Sequence, residues 1–80
     1  MAKSQHTAGY RAVPALLRQI REDAGLTQRD LARLARRSQP WVHKSEIGER
    51  RVDISDFLEW CVACKVDPEA AFRRLIRSRH

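Results

Sequence analysis

Apolar residues recur at helical spacing along most of the chain, and the first such segment is residues 14–24. Its periodic apolar positions are Leu17, Ile20 and Ala24. Pro14 fits a first helical turn, where its missing N–H group loses no hydrogen bond. Gly25 follows and supplies the left-handed conformation that ends many helices. The pattern therefore predicts a first helix over residues 14–24.

The next periodic segment is shorter and lies at residues 28–35. Its apolar positions are Leu31, Ala32, Leu34 and Ala35. Thr27 and Asp30 have the spacing of a capping box, in which each side chain accepts a hydrogen bond from the other residue's backbone N–H. About two helical turns are unstable alone in water, so this second helix must depend on packing.

A third helix is predicted at residues 39–47, although this segment contains a proline. Ser38 is a favourable N-cap, and it places Pro40 in the first turn, where the missing N–H group is tolerated. Gly48 can then end the helix in the same way as Gly25 ends the first one.

Two more helices follow the loop at residues 49–53. Asp53 or Ser55 can cap the fourth helix, and Asp67 can cap the fifth, with Pro68 at its first position. The apolar residues expected to face the core are Phe57, Trp60, Cys61 and Cys64 in the fourth helix and Ala71, Phe72, Leu75 and Ile76 in the fifth. No segment alternates as a strand would, so the predicted fold is all-α.

The length of 80 residues suits one small domain with a modest core. Residues 1–12 are small, polar and without periodicity, so we expect a flexible N-terminal arm that carries Lys3 and Arg11. The domain itself is predicted at residues 13–77, followed by a basic tail at residues 78–80.

The charge balance narrows the class of partner. The chain has 16 Lys and Arg against 10 Asp and Glu, for a net charge of +6, and its hydrophobic content of 42% is sufficient for a folded core. A basic folded module points first to nucleic acid, then to an acidic membrane surface or an acidic protein. There is no apolar stretch of signal-peptide length and no run near the roughly 20 apolar residues of a membrane span. We therefore expect a cytoplasmic protein without a membrane partner.

The third predicted helix has a mostly polar face that turns away from Val42. At about 100° per residue, this face comprises Gln39, Pro40, His43, Lys44 and Ile47. A DNA major groove about 12 Å wide admits one helix, whose N-terminal side chains reach the base edges. Gln39 can bond adenine in bidentate fashion, and His43 and Lys44 can donate to purine acceptors. Cations that can hold the phosphates flank the helix at Arg29, Arg37, Arg50 and Arg51.

Five short motifs carry a family resemblance. They are "GLTQ" before the second helix, Leu31–Ala32 in its centre, Val42 in the third helix, "EIGERR" after it and "VDP" before the fifth. Together they make residues 14–75 similar to the Cro/repressor-type (XRE-type) helix-turn-helix family of bacterial and phage DNA-binding regulators. The resemblance implies a five-helix, lambda-repressor-like domain whose third helix reads DNA.

The resemblance also implies roles for single residues. Gln28 would approach the DNA backbone, and Glu46 would pair with Arg21 of the first helix. Ala32 would be small because the second and third helices cross there. The implied structural residues are Arg21, Ala32, Val42 and Glu46. The candidate DNA-binding residues are Thr27, Gln28, Arg29, Arg37, Ser38, Gln39, Pro40, His43, Lys44, Arg50 and Arg51.

Three positions depart from the family pattern. Arg36 and Lys65 stand where glycine is usual, and a left-handed arginine would cost about 1 kcal/mol. Ser45 stands where a larger apolar or aromatic residue is usual. Trp41, one turn earlier, can either pack in the core or donate its indole N–H to a phosphate.

The motif "CVAC" at residues 61–64 invites a metal or redox interpretation. A structural zinc ion needs about four ligands, and the other candidates are His6, His43 and His80. A redox pair belongs at a helix N-terminus, whereas these cysteines fall inside the fourth helix on its apolar side. We therefore expect core thiols without a metal or cofactor. No nucleophile stands with a base and an orienting group, so an enzyme is not expected either.

The sequence predicts a transcriptional regulator that binds double-stranded DNA at a specific sequence and acts as a repressor. One such small module contacts about half an operator, so a homodimer on a pseudo-palindrome is expected. The protein would be bacterial or phage-encoded and associated with the nucleoid. Two alternatives are an antitoxin that also binds a toxin protein and a helical interaction module whose basic face meets an acidic protein.

Overall fold

The computed structural model describes residues 8–78, and this part of the chain folds into five α-helices without a strand, as the sequence predicts. The helices are α1 (Ala8–Asp23), α2 (Gln28–Ala35), α3 (Gln39–Ile47), α4 (Ile54–Cys64) and α5 (Pro68–Ser78). None of these five is long and apolar enough to cross a membrane. Because α5 extends to Ser78, the first residue of the predicted tail is helical. Residues 1–7 and 79–80, which hold the rest of the predicted arm and tail, lie outside the described residues.

The first helix begins earlier than the sequence predicts. It starts at Ala8 rather than at residue 14, and Pro14 lies inside it. The prediction of a flexible arm is therefore wrong for residues 8–12, which include Arg11. An internal proline removes one backbone hydrogen bond and crowds the carbonyl four residues earlier, so local preference alone disfavours this extension.

Tertiary contacts explain why the chain is already helical before Pro14. The hydroxyl of Tyr10 accepts a hydrogen bond from the backbone N–H of Val52 at 2.7 Å. Val13 packs against the core from the same stretch of helix. These contacts tie the start of α1 to the loop between α3 and α4, and they offset the cost of the internal proline.

Side-chain caps set the starts of the next three helices. The hydroxyl of Thr27 accepts from the N–H of Asp30 at 3.0 Å, and the Asp30 carboxylate accepts from the N–H of Thr27 at 3.0 Å, which completes the predicted capping box. Ser38 caps α3 as predicted. Asp53 caps α4 through a second capping box, which it forms with Asp56. These caps satisfy N–H groups that the first helical turn leaves without partners.

The core lies where the helices converge around α1. α1 packs against α3, α4 and α5, and α2 packs against α3 and α4. The indole N–H of Trp60 donates to the backbone carbonyl of Leu17 at 2.9 Å, which satisfies its polar atom within the core. The side chains with no exposed surface are Leu17, Ile20, Leu31, Val42, Ser45, Trp60 and Cys61.

The apolar stripe of α5 is only partly buried, which corrects the prediction for two residues. Ala71 is buried, and Leu75 is partly buried against the core. Phe72 and Ile76, however, keep 53% and 50% of their surface exposed. They lie about 100° further round the helix, beyond the narrow face that reaches α1 and α4. They form one wall of an open apolar groove between α4 and α5.

Two non-glycine residues adopt the left-handed conformation, at the positions where the family resemblance places glycine. Arg36 ends α2 with φ 57°, and Lys65 ends α4 with φ 58°. In both turns the next residue's N–H donates to the carbonyl five residues earlier, at 2.8 Å after Arg36 and 3.0 Å after Lys65. The hydrogen-bonded turn is therefore kept, and each side chain carries the strain that a glycine would avoid.

Candidate nucleic-acid interface

The outer face of α3 is open to solvent and mostly polar. Five side chains on this face are exposed: Gln39, Pro40, His43, Lys44 and Ile47. On the opposite face Val42, Ser45 and Glu46 are buried. Val42 and Ala32 of α2 both belong to the buried core, and α2 packs against α3. The polar face identified from the sequence is thus the face that the fold leaves free.

A buried ion pair joins α3 to α1. Arg21 donates from Nε to Oε2 of Glu46 at 2.6 Å and from Nη2 to Oε1 at 3.1 Å. A third donor, Nη1, bonds the backbone carbonyl of Leu26 at 2.8 Å. The hydrogen bond with Glu46 raises the pKa of Arg21, although burial opposes the shift. This is the pair that the family resemblance implies, and it holds the inner side of α3 to the first helix.

The same ion pair also orients Gln28 at the start of α2. Its Nε2 donates to Oε1 of Glu46 at 3.1 Å, so the carboxamide is tied to the buried pair. Nε2 also lies 3.5 Å from Nδ1 of His43 on α3. The network therefore ties the start of α2 to the C-terminal half of α3.

The two capping hydroxyls remain able to donate outward. Thr27 and Ser38 are both exposed, and each accepts a backbone N–H with its hydroxyl oxygen. A serine or threonine hydroxyl has one hydrogen of its own to donate. Each cap can therefore bind an anion at a helix N-terminus while it keeps its structural role.

The candidate cations divide into two classes. Arg29 and Lys44 are exposed and take part in no ion pair within residues 8–78. Arg51 is exposed as well, with its guanidinium 4.8 Å from the ring centroid of Tyr10. These three are exposed cations, one each on α2, on α3 and in the loop that follows α3.

Arg37 and Arg50 belong to the second class, because carboxylates on α4 hold them. Arg37 donates through Nη2 to both carboxylate oxygens of Glu59, at 3.0 and 3.2 Å. Arg50 donates through Nη2 to Asp56 at 2.8 Å. Both guanidiniums lie over the ring of Trp41, at 4.9 and 4.6 Å from its centroid. We call these five residues the Trp41 cluster.

The Trp41 cluster also accounts for the unusual Ser45. The hydroxyl of Ser45 donates to the carbonyl of Trp41 at 2.7 Å and accepts from Arg50 at 3.3 Å. Trp41 itself packs on Trp60 with ring centroids 5.7 Å apart. Its indole N–H is buried and has no hydrogen-bond partner in the described part of the chain. Trp41 therefore packs in the core, with its indole N–H buried rather than exposed at the surface.

Sequence reasoning missed the Trp41 cluster, although one signal was present. Asp56 and Glu59 are three residues apart, so they lie on one face of α4. That face could be matched to Arg37 and Arg50 only with the packing of α4 known. The charge spacing indicates a pair of carboxylates, but it does not say which cations they meet.

Cys61 and Cys64 are both free and buried, as expected for core thiols. Burial raises the pKa of Cys61, and burial together with the neighbouring Cys61 raises the pKa of Cys64 to about 11. A protonated, buried thiol is a poor nucleophile and a poor metal ligand. Within residues 8–78 no group of three His, Cys, Asp or Glu side chains is placed to hold a metal ion.

Comparison with known proteins now decides the family. Residues 15–75 match the family described as "Helix-turn-helix domain". An XRE-family like protein from Pseudomonas syringae pv. tomato is 39% identical, with a TM-score of 0.82 over 94% of this chain and 92% of that chain. This chain belongs to the XRE-type helix-turn-helix family.

Two further solved structures are similar to this XRE-type chain. The clp gene regulator ClgR from C. glutamicum is 26% identical, with a TM-score of 0.79 over 90% of this chain and 92% of that chain. The restriction-modification controller protein C.AhdI from Aeromonas hydrophila is 30% identical, with a TM-score of 0.69 over 76% of this chain and 92% of that chain. No curated protein sequence matches the chain. The family and these neighbours are regulators rather than enzymes. This chain is thus a DNA-binding transcriptional regulator.

Proposed function

We propose that this XRE-type regulator binds a specific DNA duplex by inserting α3 into the major groove, as a homodimer on a pseudo-palindromic operator. The observation that carries the proposal is the exposed polar face of α3, which starts with Gln39 and includes Lys44, a cation that takes part in no ion pair within residues 8–78. A major groove about 12 Å wide admits one helix, and side chains near its N-terminus reach the bases. The opposite face of α3 is anchored by Val42 and Glu46, so the helix is presented rigidly.

The proposed base contacts come from the N-terminal half of this face. The carboxamide of Gln39 can bond adenine through both of its polar atoms. Pro40 can contact a thymine methyl group, since its ring is exposed and apolar. His43 and Lys44, one turn further along, can donate to purine acceptors or to the phosphates at the groove edge.

The proposed phosphate contacts surround this face. Thr27 and Ser38 can donate their hydroxyl hydrogens, and Gln28 stands at the N-terminus of α2, where a helix favours an anion. Arg29 and Arg51 supply positive charge. Arg37 and Arg50, which the sequence also suggests for this role, are engaged by Glu59 and Asp56 instead.

Two substitutions separate base reading from phosphate binding. Gln39→Ala should cost about 1 to 3 kcal/mol of binding free energy at particular base pairs only. Arg29→Gln should weaken binding to all sequences alike and flatten the slope of log K against log salt by about 0.9. Fluorescence anisotropy with a set of single-base operator variants measures both effects. The docking proposal fails if both variants bind every duplex as the parent does.

The proposed dimer forms through the apolar groove between α4 and α5. This open groove has a volume of about 640 Å³, and its walls include the exposed Ile54, Leu58, Phe72 and Ile76. A two-fold interface brings the same patch together from both subunits, so an apolar patch complements itself. Two side chains of opposite charge, Glu69 and Arg73, line the same groove and could pair across the two-fold axis.

The position of the groove also suits two half-sites. α5 packs on α1 and α4, so the groove lies away from the outer face of α3. The domain measures 29 × 26 × 19 Å. We propose that two copies joined at this groove hold their α3 helices about one DNA turn, or 34 Å, apart.

Sedimentation velocity tests the dimer directly. Phe72→Asp puts a charge in the centre of the proposed interface and should convert the dimer to a monomer, with loss of binding to a full operator. Val62→Asp is the matched control, because Val62 is an exposed apolar residue of α4 that does not line this groove. A parent that sediments as a monomer at concentrations that saturate the operator would contradict the dimer.

Selection of bound duplexes from a random library tests the function as a whole. We expect an enriched pseudo-palindrome, and repression of a reporter whose promoter contains it, since a bound dimer would exclude polymerase. Enrichment of a site without symmetry would overturn the homodimer, and an empty selection would favour the helical interaction module. A toxin-like protein that co-purifies in stoichiometric amount would instead favour the antitoxin alternative.

A further inference from the structure

Arg37 occupies a distinctive position in the Trp41 cluster. It directly precedes Ser38, the N-cap of α3, and so it stands at the end of the helix that is proposed to enter the groove. A guanidinium at this point is well placed for a DNA phosphate, because phosphates favour helix N-termini and bind arginine in bidentate fashion. The guanidinium nevertheless points to Glu59 of α4, with three N···O distances of 3.0 to 3.3 Å.

The Arg37–Glu59 pair lies on the surface, where a phosphate can compete for the arginine. Both side chains keep 38% of their surface exposed. The neighbouring pair of Arg50 with Asp56 is more enclosed, since only 29% of the Arg50 side chain and 8% of the Asp56 side chain are exposed. An exposed ion pair is weak, since water solvates both partners well. Of the two arginines, Arg37 is therefore the one that can change partner without disturbing the core.

Other members of the cluster keep Arg37 close to α3 when Glu59 is absent. The guanidinium lies 4.9 Å from the ring centroid of Trp41, and this cation–π contact does not involve Glu59. Asp56 is only a distant second partner, because its Oδ1 lies 3.9 Å from Nη2 of Arg37, beyond hydrogen-bond distance, while its Oδ2 accepts from Arg50 at 2.8 Å and from the N–H of Asp53 at 3.2 Å. Arg37 would thus remain at the N-terminal end of α3 with its donors available.

We propose that Glu59 competes with duplex phosphates for Arg37 and thereby limits the sequence-independent part of DNA binding. In the free protein Arg37 is neutralised by Glu59, and the carboxylate adds repulsion to any phosphate that approaches. Glu59 is thus a determinant of affinity and salt dependence, although it contacts no base. This inference rests on the proposed function, since it requires that α3 meets a duplex.

The first test measures binding of the full chain to a random-sequence duplex over a series of salt concentrations. Glu59→Gln keeps the size of the side chain and removes its charge. It should add one phosphate contact, which steepens the slope of log K against log salt by about 0.9 and raises affinity on the order of fivefold to tenfold near 0.1 M salt. Arg37→Gln alone should flatten the slope by less than Glu59→Gln steepens it, since Glu59 already neutralises part of the charge that Arg37 could offer to a phosphate.

The control and the double variant assign the effect to Arg37. Asp23→Asn makes the same change in net charge and also frees an arginine, because Asp23 pairs with Arg74 of α5 at 3.4 Å, away from α3. It should leave the slope close to that of the parent. The double variant Arg37→Gln with Glu59→Gln should lose the gain of Glu59→Gln.

Each outcome decides the proposal. A slope for Glu59→Gln equal to that of the parent overturns it while the proposed function stands. An equal gain from Asp23→Asn, or a gain that persists in the double variant, also overturns it, because net charge and not Arg37 would then be responsible. A folded parent that binds no duplex at about 50 mM salt overturns both this proposal and the proposed function.

Discussion

Two arginine–carboxylate arrangements hold α3 in this fold, one on each side of the helix. On the α1 side Arg21 and Glu46 are buried, with 11% and 2% of their side chains exposed. On the α4 side the Arg37–Glu59 pair of the Trp41 cluster is open to solvent, with 38% of each side chain exposed. A buried pair is costly to break, whereas an exposed pair exchanges easily with solvent ions. The first arrangement thus fixes the helix, and the second can respond to a bound polyanion.

The largest effect is expected on the buried side. Glu46→Gln should lower the free energy of unfolding by about 3 to 5 kcal/mol, because it leaves the buried Arg21 with only the half-exposed Glu22, at 4.0 Å, as a counter-charge. It also weakens the contact that orients Gln28. Urea denaturation followed by circular dichroism measures the loss. A loss below about 1 kcal/mol, the range of exposed pairs, would remove the contrast between the two sides.

A double substitution sharpens this result. Arg21→Met combined with Glu46→Leu removes both charges and keeps most of the buried volume. It should recover much of the stability that Glu46→Gln loses, because replacing a buried pair by apolar residues is often neutral. No recovery would mean that the hydrogen bonds to Leu26 and Gln28, rather than the uncompensated charge, dominate the loss.

An intermediate effect is expected at Asp56, which is buried at the inner edge of the Trp41 cluster. Burial opposes its charge, but hydrogen bonds from Arg50 and the Asp53 backbone, with the charges of Arg50 and Arg37, lower its pKa overall. A lowered pKa stabilises the fold above the unfolded value of about 3.9, and that stability is lost as pH falls through the folded value. Asp56→Asn should therefore cost about 1 to 3 kcal/mol at pH 7.

The pH dependence gives the matching control for Asp56. The difference in unfolding free energy between the parent and Asp56→Asn should be constant from pH 7 to about pH 5 and shrink below about pH 4. Denaturation series at these values measure it. A difference that stays constant to pH 2 would show that the ionised form of Asp56 contributes nothing, and that only its place in the capping box matters.

The sequence predicts most of this fold because its signals are local. Thr27 and Ser38 cap helices through hydrogen bonds to residues three positions away, and Gly48 ends a helix through its own backbone, so the bounds that the sequence predicts for α2 and α3 are the observed ones. The sequence does not predict the observed start of α1, since this start depends on a hydrogen bond between Tyr10 and Val52, which are 42 residues apart. Such a contact leaves no periodic signal in the sequence.

The candidate interface shows the same division. Helical periodicity alone predicts that Gln39 and Lys44 lie on an exposed face. It cannot tell a free arginine from a paired one. Arg29 and Arg37 look alike in the sequence, but only Arg37 meets a carboxylate of α4 once the helices pack. The roles that depend on tertiary pairing therefore required the structure.

A smaller effect is expected in the turn that leads to the Trp41 cluster. Arg36→Gly should raise the free energy of unfolding by about 1 kcal/mol, because φ 57° strains an arginine but not a glycine. Lys65→Gly, at φ 58° after α4, is the matched control and should gain a similar amount. Thermal denaturation compares the two. A clearly smaller gain at Arg36 would show that its side chain contributes to holding the cluster.

The smallest effect on stability is expected from Glu59→Gln on the open side of α3. The exposed pair with Arg37 contributes about 0 to 1 kcal/mol, and Arg37 keeps its contact with Trp41 in the variant. Thermal denaturation should therefore move little, while the same variant steepens the salt dependence of DNA binding. A loss of stability comparable to that of Asp56→Asn would contradict this. It would mean that Glu59, like Glu46, holds α3 in place, and that the two sides of the helix do not differ in kind.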